Sequence, residues 1–155
     1  MEFLKPENIE YIVLHCTDTE PRMSIDVETV RQWHFARGFD DIGYHFLILP
    51  DGTICKGRSL EYVGAHCVGL NKRSIGIAYV GGRLGCCNHD TRTRLQKLAI
   101  CTLVCQLVKD YPTIEKLIGH HDFNNRKSCP CFDVLSDYGV WFDDIKREIR
   151  SFRHP

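Results

Sequence analysis

The sequence predicts an α/β fold: a single domain over residues 1–155, with a mixed central β-sheet flanked by helices. Three observations lead there. The length is that of one ordinary domain, enough to bury a core without staples. Strand-like and helix-like patterns alternate along the chain, which favours helices packed on a sheet. No repeat, low-complexity tract or linker interrupts it.

Taken in order, "YIVLHCT" (11–17) is a short apolar, β-branched run, the mark of a buried strand. "SIDVETVRQWHFARGF" follows as a helix, with Ser24 as its cap, Val27, Val30, Trp33 and Phe35 near helical spacing, and Gly38 ending the run. "GYHFLILPDGTICKGR" reads as a hairpin turning at "PDG". "SIGIAYVGG" (74–82) is a second buried strand. A long helix is expected from about 92 to 110, capped by Asp90 or Thr91, with Leu95, Leu98, Ala99, Leu103 and Leu107 among its apolar positions. "EKLIGHH" is a last strand, and "VWFDDIKREI" (140–149) a closing amphipathic helix.

Composition narrows the partners. With 20 basic and 20 acidic residues there is no global field to draw the chain to nucleic acid or a membrane, and neither is expected as a partner. No apolar run reaches the length of a bilayer span. The N-terminus "MEFLKPENIEYIVLHC" has acids and a proline where a signal peptide needs basic and then apolar residues, so synthesis and folding in the cytoplasm are expected. Nine cysteines, an odd number without a signal peptide, argue against a disulfide framework. Cys101 and Cys105 lie four apart in an apolar run and suit a helix face; Cys16 and Cys55 fall in strand-like segments and suit the core. Cys86-Cys87 is placed in a loop, as a reactive pair if anything.

The chemistry concentrates in "GHHDFNNRKSCPCFD" (119–133). Catalytic zinc takes three nitrogen, sulfur or oxygen ligands from the protein and leaves one position open. His15 at the end of the first strand, His120 at the end of the last, and a thiol from Cys129 or Cys131 would supply such a set. The 105 residues between the two histidines speak against a zinc finger, whose ligands come in close pairs. Open α/β sheets place their sites beyond the carboxyl ends of strands, where both histidines fall. A strand-end histidine is otherwise an ordinary packing residue, and Lys127 beside Arg126 an ordinary solvated cation.

Four segments, "IVLHCTDT", "VRQWHFARGFDDIGYHFLILPDGT", "VGAHCVGLNKRSIGIAYVGG" and "GHHDFNNRKSCPCFD", resemble in order and spacing the zinc-dependent N-acetylmuramoyl-L-alanine amidases of type 2. That family includes amidase-type bacteriophage lysozymes and shares its fold with animal peptidoglycan recognition proteins. The resemblance implies one Zn²⁺ per chain held by His15, His120 and Cys129, with Tyr44 and Lys127 as catalytic residues. It puts His66 on a cleft-lining histidine; Asn71 and Arg73 are the further substrate-binding candidates. His121 is expected behind a ligand, and Asp133 as the cap of the turn that follows.

The implied reaction is hydrolysis of the amide between N-acetylmuramic acid and L-alanine of the peptidoglycan stem, on intact polymer or muropeptide fragments. Lys127 would share the cleft-facing side with Cys129, two residues on in an extended segment. Cys131 departs from the family pattern; it would compete for zinc or oxidise with Cys129. A monomeric lysin of phage or prophage origin, released to the wall after cytoplasmic synthesis, is the expected setting, with cytoplasmic recycling of wall fragments second. The sequence leaves a regulatory protein partner open. The competing reading is a recognition module that holds peptidoglycan without cutting it; the cysteine ligand typically missing from such members is present as Cys129. A purely structural zinc would need a fourth ligand, for which Cys131 is the near candidate.

Overall fold

The computed structural model describes residues 1–153. Strand β1 (Tyr11–Cys16) is followed by α1 (Val27–Ala36), the hairpin β2 (Phe46–Ile48) and β3 (Ile54–Lys56), and β4 (Ser74–Tyr79). Then come a small hairpin, β5 (Arg83–Leu84) and β6 (Cys87–Asn88), the long helix α2 (Arg94–Asp110), β7 (Lys116–Gly119), the short α3 (His120–Phe123) and α4 (Val134–Arg153). The five-stranded sheet runs β3-β2-β4-β1-β7, with only β3 antiparallel to its neighbour. The mixed sheet expected from the sequence is the one observed.

Side chains alternate across β1, and that alternation divides the molecule. Ile12, Leu14 and Cys16 face a large core with Ala99, Ile100, Leu103, Val104 and Leu107 of α2 and Val134, Tyr138 and Phe142 of α4. Val13 faces the other side, with Cys67 and Leu70, and His15 follows two residues on. α1 packs through Val30 on Ile42, Leu47, Ala78 and Val80 of a second cluster. The site therefore lies on the face away from α2 and α4.

Element ends differ from the sequence expectation where side chains cap the backbone. Asp26, not Ser24, caps α1, its carboxylate accepting from Thr29 N at 2.8 Å. Gly38 follows the helix at φ 87°, the left-handed conformation that glycine allows. Thr93, not Asp90 or Thr91, caps α2: its hydroxyl accepts from Gln96 N, and Gln96 Oε1 accepts from Thr93 N. Gln96 is fully buried, and its amide also donates to Ile48 O and Val80 O, tying the helix to the ends of β2 and β4. Leu95 and Leu98, expected on the apolar face, are 53% and 55% exposed because that face is set by Gln96, Ile100, Val104 and Val108. Cys16 is buried as expected, whereas Cys55 is half-buried on β3.

His45 carries a pH dependence. Its Nε2 meets Tyr62 O at 2.9 Å and its Nδ1 accepts from Gly76 N at 3.1 Å. Burial, then the Arg58 charge, pull its pKa down to about 4, although the Tyr62 carbonyl opposes them. A histidine with a folded pKa below its unfolded value contributes stability that is full above pH ~6.5 and lost as pH falls toward the folded pKa. Zinc-free protein is expected to lose up to about 3 kcal/mol between pH 7 and pH 4 from this group. Urea unfolding across that range measures it. His45→Asn, whose Oδ1 can accept from Gly76 without titrating, should remove this share of the slope. It should leave that of the other buried histidines, among them His34, whose pKa burial also lowers to about 4.

Candidate metal centre and its cleft

Parallel pairing brings the two histidines together. Leu14 of β1 stands opposite Gly119 of β7, so His15, still within β1, and His120, the first residue past β7, stand at the same level. Their rings lie 4.7 Å apart between centroids. The chain turns into α3 at His120 because the Asp122 carboxylate accepts from Gly119 N at 2.7 Å. The segment from 124 to 133 then loops back over the carboxyl end of β1.

Cys129 is fixed there at several points. Its carbonyl accepts from His121 N at 2.8 Å, and its Sγ accepts from Cys16 N at 3.2 Å. One residue on, Pro130 O accepts from the Tyr79 hydroxyl at 2.7 Å. Asp133 caps α4, its carboxylate accepting from Ser136 N at 3.0 Å. α4 begins at Val134, six residues earlier than the expected 140.

Ligand atoms of His15, His120 and Cys129 all lie within 4.8 Å of one another. His15 Nδ1 is 3.6 Å from Cys129 Sγ, and tetrahedral zinc with ordinary Zn–N and Zn–S bonds sets such atoms ~3.6 Å apart. Burial, then the His120 charge, hold His15 well below the usual imidazole range. Burial, then Lys127, lower His120. Both rings are therefore neutral at pH 7, the form that binds metal. The donor set fits a zinc-like ion, and three protein ligands would leave one coordination position open.

A cavity of about 520 Å³ is lined by His15, His120, Cys129, Tyr44, Lys127 and His66, all six of them sequence candidates. The Tyr44 ring is 5.2 Å from His15, and burial raises its hydroxyl pKa, so it stays a neutral phenol. Lys127 shares the cavity with Cys129 through a turn, Lys127 N donating to Asn124 O at 3.0 Å, rather than through an extended segment. His121 lies outside the ligand group, its Nε2 3.6 Å from Asp122 Oδ1.

Two candidates are elsewhere. The Asn71 side chain turns back to accept from His66 N at 2.9 Å and Cys67 N at 2.8 Å, holding the 66–73 loop. Arg73 pairs with Glu10 at 2.6 Å and lies over the Tyr11 ring. Neither lines the cavity. Cys131 is also redirected: its backbone has φ 69°, and its Sγ sits 3.8 Å from Cys16 Sγ and 3.4 Å from Gly82 O. Its near thiol is Cys16, not Cys129. Contact with Cys16, then burial, push the Cys131 pKa up, and Cys16 is pushed up to about 12, first by Cys129. Both remain thiols.

The cleft holds residues that sequence reasoning missed, among them Trp33, His34, Arg37 and Phe39. Trp33, one of the residues near helical spacing on α1, is 39% exposed, and the helix buries Val30 and His34. The spacing of Trp33 and Arg37, one helical turn apart, was the available signal.

The model of the family described as N-acetylmuramoyl-L-alanine amidase matches residues 5–132. The chain belongs to this family. The endolysin of Klebsiella phage KP32 is 38% identical over 135 residues, 86% of this chain and 88% of the relative. Among solved structures, the endolysin N-acetylmuramoyl-L-alanine amidase LysCS of Clostridium intestinale superposes with TM-score 0.72 at 30% identity, covering 97% of this chain and 91% of that one. The peptidoglycan recognition protein PGRP-SA of Apis mellifera does so with TM-score 0.73 at 26% identity, over 91% and 87%. No helix among the described residues is long and apolar enough to cross a membrane.

Proposed function

We propose that this chain is a zinc-dependent N-acetylmuramoyl-L-alanine amidase, cleaving the amide between the lactyl group of N-acetylmuramic acid and L-alanine. The observation that carries the reading is the His15, His120, Cys129 group opening on a cavity lined by Tyr44 and Lys127. Family membership and the phage endolysin relatives support peptidoglycan as the polymer. In this reading the chain acts on the cell wall as one monomeric amidase domain.

Zinc, when bound, supplies Lewis acidity: it polarises a carbonyl and makes water acidic enough to attack near neutral pH. The chain's own groups do the rest. Neutral imidazoles and one thiolate would leave a site of formal charge +1, a weaker Lewis acid than three neutral ligands would give. Help from fixed charge is then useful, and the Lys127 ammonium stabilises the oxyanion of the tetrahedral intermediate. Tyr44, kept protonated by burial, donates its hydroxyl hydrogen to the water or to the carbonyl oxygen.

The test is release of new L-alanine amino termini from purified peptidoglycan, before chelation, after it, and after zinc is restored. Activity that disappears with chelator and returns with zinc supports the amidase. Binding to the polymer without cleavage under every metal condition would replace it with the recognition-module reading. Lys127→Ala is expected to lower kcat about 10²–10³-fold, the cost of removing one oxyanion donor, with zinc content unchanged. A rise in KM alone would make Lys127 a substrate-binding residue instead.

A further inference from the structure

Behind His15 runs a chain of polar contacts that metal binding alone does not require. Ser74 is fully buried and His66 is 8% exposed. Ser74 Oγ lies 2.8 Å from Leu70 O and 3.3 Å from His66 Nε2. His66 Nδ1 in turn lies 2.9 Å from His15 Nε2.

The hydrogens follow from what each atom can do. A backbone carbonyl only accepts, so the single Ser74 hydroxyl hydrogen is committed to Leu70 O. Ser74 Oγ can then meet His66 Nε2 only as acceptor, which puts the His66 proton on Nε2. A neutral imidazole carries one N–H, so His66 Nδ1 accepts, and the hydrogen between the rings belongs to His15 Nε2. His15 is left with its lone pair on Nδ1, the atom 3.6 Å from Cys129 Sγ.

The His66 ring is held in place by missing side chains. A Cβ on Gly76 would stand 2.6 to 2.8 Å from three atoms of the ring, and one on Gly64 would stand 2.6 Å from it. The missing Cβ of Gly76 on β4 leaves room for the imidazole beside the sheet, edge-on to the His15 ring and within hydrogen-bond reach of it.

We propose that Ser74 and His66 are positioning residues that fix the tautomer and orientation of His15, presenting its Nδ1 to the metal, and that His66 acts through His15 rather than on substrate. This deepens the zinc reading above and rests on His15 as a ligand. Groups that orient a ligand histidine in this way are worth about 10–100-fold in metal affinity.

Zinc affinity, measured by chelator competition without any peptidoglycan, separates this proposal from the amidase assignment. His66→Leu is expected to weaken zinc about 10–100-fold. His66→Asn, whose Oδ1 can accept from His15 Nε2, should restore affinity to within about 3-fold of the parent, and Ser74→Ala should weaken it in the direction of His66→Leu. Parent-like zinc affinity in His66→Leu, with a raised KM for a muropeptide, would make His66 a substrate contact and overturn the proposal. Nitrogen-15 histidine spectra of the unmutated protein decide the matter even where a variant fails to fold. Protons on Nε2 of both His15 and His66 are expected; a proton on His15 Nδ1, or on His66 Nδ1, would refute it.

Discussion

Cys129→Ser is expected to lose both stoichiometric zinc and amidase activity, whereas Cys131→Ser keeps both. The two cysteines are two residues apart and chemically identical, so the difference is entirely one of placement. Cys129 Sγ faces His15 Nδ1 at 3.6 Å and takes a backbone N–H from Cys16 at 3.2 Å. Cys131 turns away through a left-handed backbone and meets Cys16 Sγ and a carbonyl. A serine hydroxyl at 129 would have to ionise at far greater cost than a thiol to replace it as an anionic ligand. Zinc per chain, by metal analysis after dialysis, and L-alanine release are the two readouts. Zinc retained in Cys129→Ser would overturn the ligand set. Zinc lost in Cys131→Ser would bring back the structural, four-ligand site that the placement of Cys131 argues against. Oxidation follows the same geometry: a disulfide formed by Cys131 would join it to Cys16, 3.8 Å away, rather than to Cys129.

How far the sequence could be read depended on whether a feature is local. The run 11–17 is β-branched and apolar, and a strand-end histidine follows from it directly. The second ligand histidine was equally visible, because "EKLIGHH" ends a strand in the same way. What brings His15 to His120 is the register of two parallel strands 105 residues apart, and no local pattern carries that; family resemblance did. Errors came where a side chain bonds to nearby backbone. Asn71 looked available to substrate, but its amide oxygen closes the loop on His66 N and Cys67 N. Trp33 has helical spacing, and spacing treats a cleft-facing aromatic like a core one. α4 was read too short because Ser136, Asp137 and Gly139 dilute the apolar pattern. Val134, Tyr138, Phe142, Ile145 and Ile149 nonetheless keep helical spacing from its first residue. The two-residue strands β5 and β6 are too short to leave any periodicity.

Arg92→Ala is expected to destabilise the zinc-free protein by about 3 kcal/mol and to loosen the metal site with it. The Arg92 side chain is fully buried, between α2, α4 and the loop that carries Cys129. Its guanidinium donates to Asp90 at 2.9 Å, Asp137 at 2.5 Å and the Tyr138 hydroxyl at 2.8 Å. It also stacks 3.2 Å from the centre of the Phe132 ring, three residues past Cys129. Removing one partner of a buried ion pair costs about 3–5 kcal/mol when the other is left dry. Here the carboxylates are 31% and 42% exposed and can rehydrate, so the electrostatic share falls below that range. The void left under Phe132 and Tyr138 adds the balance. Arg92→Met, which fills most of the void and leaves both aspartates to water, is therefore expected to recover much of the loss. Urea unfolding of the metal-free proteins measures this without the stabilisation that bound zinc would add. If Arg92→Met is as unstable as Arg92→Ala, charge rather than packing holds the 129–133 loop. If Arg92→Met matches the parent in stability yet binds zinc more weakly, the network serves chiefly to aim Cys129. On the geometry, packing carries the larger share, because the guanidinium is dry while both of its anions are not.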